Sequence, residues 1–257
     1  MRTIDLRGKT ALVTGVANHR SLAWAIAEAL GDAGCDLAFT YQGDRIRESV
    51  EKLAAKYPGS PVLPCDVTRD DDLDALFRAL AERNGKLDFL VHSIAYAARE
   101  DLEGEFRKTS RDGFRLALEV SAYSLVALTH RAAPMMTDGG SILALSFVAA
   151  HRVFPSYNVM GSAKAALEHA VRQLAFELGP SAIRVNAISA GPVSTLSARG
   201  IHGFVSMAQH ARERAPLKRN VEAREVGDAA LFLCSEMSSG ITGSTLYVDA
   251  GYHIMGM

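Results

Sequence analysis

Short apolar runs alternate with longer amphipathic stretches along almost the whole chain, and no repeat or linker interrupts the alternation. Seven runs have the length and character of buried strands, with helical spacing between them. The strand candidates are Ala11–Thr14, Leu37–Tyr41, Pro61–Cys65, Phe89–His92, Ser141–Leu145, Ile183–Ile188 and Thr245–Val248. Apolar strands joined through helices form parallel sheets that are covered on both faces. The pattern predicts a Rossmann-type, doubly wound α/β fold with a seven-stranded parallel sheet, as a single domain over residues 1–257.

Composition and charge argue against several classes of function. The formal net charge is −1, so we expect neither a nucleic-acid partner nor an acidic membrane partner, which would favour a basic face. No apolar run approaches the roughly 20 residues of a membrane span, and the first residues lack the apolar region of a signal peptide. The three cysteines are far apart, and no histidine or cysteine pair has metal-site spacing. We expect a cytoplasmic protein without bound metal.

Ligands of open α/β sheets bind beyond the carboxyl ends of the strands. Five strand candidates are followed there by Gly15, Gln42, Asp66, Ser93 and Ser146. Gly15 opens a loop to a helix predicted from Ser21 to Ala33, where backbone N–H groups can hold a pyrophosphate. The loop lacks the G-x-G-x-x-G fingerprint, so alone it fits either a binding loop or a plain connection. Beyond Asp66, Thr68 with Asp71 resembles a capping box for the next helix.

A long helix is predicted between Ser156, as its cap, and Gly179-Pro180, which ends it. Near its start, Tyr157 and Lys164 are seven residues apart. They therefore share one helix face, about 10 Å from each other. Taken alone, such a pair is more often a structural tyrosine and a solvated lysine than a catalytic pair.

Several motifs, in collinear order over nearly the whole chain, resemble those of a known family. Gly15 and Ser21-Leu-Ala23 are spaced as in the divergent dinucleotide loop of bacterial enoyl-acyl-carrier-protein reductases, a branch of the short-chain dehydrogenases. The resemblance continues through Phe39-Thr-Tyr-Gln42, Cys65-Asp-Val67, Val91-His-Ser-Ile94, Tyr157-Asn-Val-Met-Gly-Ser-Ala-Lys164, Arg184-Val-Asn-Ala-Ile-Ser-Ala-Gly-Pro192, Gly240-Ile-Thr-Gly243 and Val248-Asp-Ala-Gly251. It implies an oxidoreductase of fatty acid biosynthesis that reduces the 2,3 double bond of enoyl thioesters with NADH.

The resemblance also implies which residues would hold the NADH. They are Gly15, Ser21 and Leu22 at the pyrophosphate, Gln42 at the adenosine ribose, Asp66 and Val67 at the adenine, Ser93 and Ile94 at the middle, Lys164 at the nicotinamide ribose, and Val193, Thr195, Leu196 and Ser197 over the nicotinamide. An acidic residue in place of Gln42 would repel a 2′-phosphate. Glutamine forms hydrogen bonds but has no charge that would repel this phosphate. Arg45 and Arg47, close by in sequence, remain candidates for contact with a 2′-phosphate. We expect NADH to be preferred, with NADPH as the less favoured cofactor.

The spacing of Tyr157 and Lys164 separates this branch from ordinary short-chain dehydrogenases, in which the two residues are four apart. Met160 holds the usual tyrosine position and cannot donate a proton. Reduction of an enoyl thioester puts hydride on the β-carbon, so negative charge appears on the thioester oxygen, which is farther from the site of hydride transfer than in carbonyl reduction. A phenol that lies farther along the helix from the lysine suits this geometry. The resemblance implies that Tyr157 stabilises this charge as an oxyanion-hole donor does. We also expect the Lys164 ammonium to lower the pKa of Tyr157.

The substrate side departs from the family in two places. Phe147 stands where many relatives have a second tyrosine, and residues 201–207, within the predicted substrate lid at about 193–214, lack the basic residues that meet an acidic carrier protein. The expected substrate contacts are Ala97, Phe147, Tyr157, Met160 and Phe204. We expect an enoyl thioester on acyl carrier protein or coenzyme A as the substrate, with coenzyme A thioesters relatively favoured.

The resemblance also implies an assembly, and two alternative functions stay open. The resembling family uses the tyrosine–lysine helix, here with Gly161, Ser162, Ala165 and Ala166, in a homotetramer interface. An ordinary short-chain carbonyl or alcohol dehydrogenase is an alternative that Met160 opposes. A catalytically silent dinucleotide-binding scaffold is another, which Phe147 supports and the Tyr157–Lys164 pair opposes.

Overall fold

One parallel sheet runs through residues 4–195 and 203–256, the part of the chain that the computed structural model describes. Its strands are β1 (Thr10–Val13), β2 (Asp36–Tyr41), β3 (Val62–Pro64), β4 (Phe89–His92), β5 (Gly140–Ser146), β6 (Ile183–Ala190) and β7 (Thr245–Val248). They lie in the order β3-β2-β1-β4-β5-β6-β7, and every neighbouring pair is parallel. All seven predicted strands are confirmed, and so is the doubly wound fold.

Helices cover both faces of the sheet. The described ones are α1 (Leu22–Asp32), α2 (Asp44–Ala54), α3 (Asp70–Asn84), α4 (Arg99–Leu102), α5 (Arg111–Leu118), α6 (Ser124–Ala132), α7 (Asn158–Leu178), α8 (Phe204–Arg214) and α9 (Ala223–Cys234). A π-helical turn, Glu119–Tyr123, joins α5 to α6, and Gly179–Ser181 forms a 3₁₀ turn that ends α7 as predicted. Within the described ranges, no helix is long and apolar enough to cross a membrane.

Alternate side chains of the strands enter two separate cores. Leu12 of β1 packs in the core that includes side chains of α3, α6 and α7. Val13, the next residue, packs on the opposite face with side chains of α1 and α9. Burial of one such side chain stabilises the fold by roughly 1.5–3 kcal/mol. The near-continuous apolar strands that the sequence shows are therefore required by a sheet that is buried on both sides.

The direction of winding reverses at β1, which pairs with β2 on one side and β4 on the other. Connections that leave β1 and β4 in opposite directions open a crevice at their carboxyl ends, where such sheets bind ligands. Gly15 and Ser93 lie at this crevice. The fold thus brings together loops that are 78 residues apart in sequence.

Candidate active site

A cavity of about 640 Å³ lies at the carboxyl edge of the sheet. It is lined by most of the predicted site residues, namely Gly15, Ser21, Leu22, Gln42, Val67, Ser93, Ile94, Ala97, Phe147, Tyr157, Met160, Lys164, Val193, Thr195 and Phe204. Asp66 lies beside the cavity, through its bond to Gln42. The predicted contacts Leu196 and Ser197 lie outside the described residues. The structure thus brings the predicted cofactor and substrate residues into one space, and their individual roles stay predictions.

The loop after β1 is closed by the hydroxyl of Ser21. Its Oγ accepts hydrogen bonds from the backbone N–H groups of Ala17 and Asn18, both at 3.1 Å, just before α1 begins. Gly15 has φ +85°, and a Cβ there would lie 2.0 Å from the carbonyl oxygen of Ser93. Because Gly15 has no side chain, the two strand ends lie close together and the space over the N-terminus of α1 stays open to a ligand. The helix dipole favours negative charge there. The loop therefore fits a pyrophosphate.

The side chain of Gln42 is fixed by Asp66. Its Nε2 donates to Asp66 Oδ2 at 3.0 Å, while Asp66 Oδ1 accepts from the backbone N–H and the hydroxyl of Thr68. Partial burial raises the pKa of Asp66, but the hydrogen bonds from Thr68 and Gln42 outweigh this and hold it below its usual value. The predicted capping box of Thr68 and Asp71 is wrong, because Thr68 is engaged by Asp66 and α3 begins without a side-chain cap.

Lys164 projects from α7 into the cavity and is almost fully buried, at 5 % exposure. Its Nζ donates a hydrogen bond of 2.6 Å to the carbonyl oxygen of Leu145 in β5. Burial lowers the pKa of Lys164 to about 8, against the opposing effect of Glu168, which favours the ammonium. At neutral pH the group is therefore a cation with two donor positions left, suited to ribose hydroxyls.

Tyr157 occupies the N-cap position of α7 rather than its first turn. The predicted cap by Ser156 is wrong, since no side-chain capping bond forms. Ser156 and Asn158 instead have positive φ values of 62° and 23°, so the backbone turns sharply on both sides of the tyrosine. The ring of Tyr157 packs against that of Phe147, with centroids 5.0 Å apart. These constraints fix the direction in which the phenol points.

Burial raises the pKa of Tyr157 above its usual value. The predicted lowering of this pKa by Lys164 is therefore wrong, because the cost of placing a phenolate in the cavity exceeds any gain from the ammonium. The hydroxyl stays protonated throughout the physiological range, so it can act as a hydrogen-bond donor without competing ionisation.

The substrate side of the cavity is largely apolar and aromatic. Phe147 lies between Phe154 and Tyr157, at 5.0 Å from each ring. Phe204 and Met207 line the cavity from α8, which occupies the second half of the predicted lid. Residues 196–202 of that lid lie outside the described residues. Sequence reasoning missed several lining residues. Most of them lie shortly after a strand or on the lid helix, which was the available signal, while Val120 in the π-helical turn offered none: Ile46, Tyr96, Arg99, Leu102, Val120 and Met207.

Two histidines near the cavity have hydrogen-bonding partners within the protein. His92 is fully buried with Nε2 at 2.7 Å from Ser124 Oγ, and burial together with Lys164 lowers the pKa of His92 to about 3. His151 Nε2 lies 2.6 Å from Glu168 Oε2. In the portion of the chain that is described, no group of three or more His, Cys, Asp or Glu side chains could hold a metal ion.

Comparison with known proteins identifies one family. A family model described as enoyl-(acyl carrier protein) reductase matches residues 15–253. The chain is 51% identical over 253 residues to the enoyl-(acyl-carrier-protein) reductase (NADH) of Bacillus cereus, covering 98% of this chain and 99% of that protein.

Solved structures agree with this match. A Bacillus cereus enoyl-acyl carrier protein reductase, crystallised with NADP⁺ and indole naphthyridinone, superposes with a TM-score of 0.96 at 51% identity, covering 98% of this chain and 100% of that one. An enoyl-(acyl-carrier-protein) reductase from Anaplasma phagocytophilum in complex with NAD superposes with a TM-score of 0.93 at 43% identity, covering 100% and 96%.

Proposed function

Because the chain belongs to the enoyl-(acyl carrier protein) reductase family, we propose that it reduces the 2,3 double bond of enoyl thioesters in fatty acid elongation, with NADH as the reductant. One observation carries the proposal. Tyr157 and Lys164 line a single cavity, while the residue one turn before the lysine is Met160. A carbonyl reductase would need a proton donor at that turn.

The cofactor and the residues of the cavity each have a distinct role in the proposed reaction. NADH, when bound, supplies the hydride that goes to the β-carbon of the thioester. Lys164 holds the ribose hydroxyls next to the nicotinamide and thereby fixes the geometry of transfer. The hydroxyl of Tyr157 donates a hydrogen bond to the thioester carbonyl oxygen, where the negative charge of the enolate develops. Phe147, Met160 and Phe204 surround the acyl chain and exclude water, which strengthens that hydrogen bond.

Phe147 lies against Tyr157 and has no hydroxyl, so we propose that Tyr157 alone donates to the thioester oxygen. The second half of the lid carries Arg212 and Arg214, both exposed at the last turn of α8. They are the described candidates on this helix for contact with an acidic carrier protein. Because the described part of the lid carries only these two arginines, coenzyme A thioesters are expected to be used relatively well.

Enoyl-thioester reduction is tested by following NADH oxidation with three substrates: crotonyl-coenzyme A, a crotonyl carrier protein and a simple ketone. We expect turnover with both thioesters and none above background with the ketone, because the phenol is placed for an enolate oxygen. Turnover of the ketone alone would establish an ordinary carbonyl reductase instead. NADH binding without turnover of any of the three would indicate a silent scaffold.

NADH is expected to give a kcat/KM about tenfold higher than NADPH, equivalent to ~1.4 kcal/mol. Gln42, held by Asp66, can bond to ribose hydroxyls but offers no positive charge to a 2′-phosphate. Arg47 is engaged by Glu51 at 2.8 Å and lies over the Tyr41 ring. The measurement is steady-state kinetics with both cofactors, for the wild type and for Arg45→Ala. A ratio that favours NADPH contradicts the proposal, and a rise in NADH preference in Arg45→Ala would assign phosphate contact to that arginine.

We further propose a cytoplasmic homotetramer. Support for the location comes from the three free, buried cysteines, which suit a reducing compartment. Support for the assembly comes from a shallow groove between α5, the π-helical turn and α7, which is lined in part by the exposed side chain of Tyr123. Of the small residues on α7, Gly161 packs within the chain, since a Cβ there would lie 3.1 Å from the Ala149 carbonyl oxygen. Sedimentation equilibrium measures the mass of the assembly.

A further inference from the structure

A buried carboxylate, Glu168, lies on α7 one helical turn after Lys164 and has no part in the mechanism described above. It is 1 % exposed. Ser146 Oγ donates to its Oε1 at 2.5 Å, and His151 Nε2 lies 2.6 Å from its Oε2. Burial of an acidic side chain is costly unless hydrogen bonds and an opposite charge compensate. Both carboxylate oxygens of Glu168 have hydrogen-bonding partners. What remains to be identified is a positive charge nearby that offsets the cost of burying the carboxylate.

Lys164 and Glu168 contact neighbouring residues at the end of β5. Lys164 Nζ bonds to the carbonyl oxygen of Leu145, and Glu168 bonds to the hydroxyl of Ser146, the next residue. Residues four apart share one face of a helix. The ammonium and the carboxylate are therefore held in a fixed relation by the same strand end, and Ser146 also lines the cavity.

Three other titratable groups around this pair are uncharged at neutral pH. His92, on β4, is neutral because burial and Lys164 lower its pKa to about 3. Burial raises the pKa of Tyr157 and of Tyr247 on β7, so both phenols stay protonated. His151, half-exposed, faces Glu168 rather than Lys164. Among the described residues that face Lys164, Glu168 is the source of negative charge.

We propose that Glu168 is a positioning residue for the reductase, which keeps Lys164 protonated and directed at the cofactor ribose. The proposal rests on the assignment of Lys164 to cofactor binding within the proposed function. Ser146 and His151 serve in turn to hold the carboxylate in place. The cavity needs such a device because the same burial that orients Lys164 also favours loss of its proton.

The sign of the effect follows from the two opposing influences on Lys164. Burial brings the pKa of Lys164 down to about 8, while Glu168 pushes it upward. The ammonium form is therefore present below pH 8 and lost above it. Without the carboxylate the pKa would fall further, and the loss of ammonium would move to lower pH.

The test is the pH dependence of NADH binding by Glu168→Gln, which removes the charge and keeps the shape. Calorimetric titrations from pH 6 to pH 9 give the dissociation constant of NADH for this variant and the wild type. We expect near-equal affinity at pH 6. At pH 8 the variant should bind about fivefold more weakly, the change expected when removal of an opposite charge lowers a pKa by about one. Circular dichroism verifies the fold of each variant.

Two controls accompany the variant. Glu177→Gln makes the same change at an exposed position of α7 and should leave the wild-type profile unchanged. Glu168→Asp keeps the negative charge but moves it back by one methylene. Its pH profile should therefore lie between those of the wild type and Glu168→Gln. If Glu168→Gln does not fold, Glu168→Asp is the variant that tests the proposal. Folded variants whose NADH affinity is reduced equally at all pH values, or is unchanged, overturn the proposal. Because NADH binding is measured directly, wild-type protein that binds NADH but fails to reduce crotonyl-coenzyme A would count against the proposed function alone.

Discussion

Replacement of Tyr157 by phenylalanine is expected to lower kcat for enoyl-thioester reduction by about 100- to 1,000-fold, the usual effect of removing one oxyanion-hole donor. The variant keeps the ring that packs against Phe147 at 5.0 Å, so the cavity should keep its shape. The hydroxyl contributes only when charge develops on the thioester oxygen. NADH affinity should therefore change little, and the loss should appear in kcat.

Steady-state kinetics with crotonyl-coenzyme A and calorimetry with NADH separate the two effects. Tyr57→Phe provides the matched control, since its hydroxyl bonds to Asp32 at 2.7 Å, away from the cavity. That variant should retain wild-type turnover. Undiminished turnover in Tyr157→Phe would refute the assignment of the phenol, whatever the control does.

Replacement of Lys164 by methionine should raise the dissociation constant of NADH by about 100-fold, with at least the same loss in kcat/KM. The change removes two charge-assisted hydrogen bonds to the ribose, together worth about 3 kcal/mol. Methionine retains most of the aliphatic volume, whereas alanine would leave a cavity beneath α7. The carbonyl of Leu145 loses its donor as well, so some loss of thermal stability is also expected.

The matched control is Lys52→Met, which removes an exposed ion pair with Glu48 on α2 and should change neither affinity nor kcat/KM. Thermal unfolding of both variants shows whether the protein remains folded at the assay temperature. A folded Lys164→Met variant that binds NADH as tightly as the wild type would remove this lysine from the cofactor site.

The sequence predicted the sheet well because buried parallel strands have a simple signature. Ala11, Leu12 and Val13 face two different cores in turn, so no polar residue interrupts the run and the strand is easy to recognise. The position of the cavity could be predicted from the same pattern of apolar strands. Once the strands are placed, the rule on carboxyl ends brings Gly15, Ser93 and their neighbours together without any knowledge of distances.

Capping was predicted poorly, because the spacing of residue types shows neither which nearby group a side chain bonds nor which backbone conformation its residue adopts. Thr68 and Asp71 have the spacing of a capping box, yet the hydroxyl of Thr68 donates its hydrogen bond to Asp66. Asp66 is in turn held by Gln42, which follows another strand. Ser156 has the residue type of an N-cap, yet its backbone is in the left-handed region, from which the side chain makes no cap. Residue type alone does not reveal either outcome.

The pKa of Tyr157 and the role of Glu168 were also beyond sequence reasoning. Spacing places an ammonium and a phenol on one helix face, but it does not give the extent of burial, which decides the direction of the shift. Glu168 reads as an ordinary helix residue, and its partners Ser146 and His151 lie 22 and 17 residues earlier. Only the packing of α7 against β5 makes the three meet.

The left-handed backbone beside Tyr157 places heat resistance and activity in conflict. A non-glycine residue such as Ser156, at φ 62°, costs of order 1–3 kcal/mol in local strain. A laboratory selection for survival at high temperature would therefore favour Ser156→Gly, which relieves that strain. The same change would loosen the turn that aims the phenol. Stabilised descendants of this enzyme should accordingly be sought at positions remote from this turn.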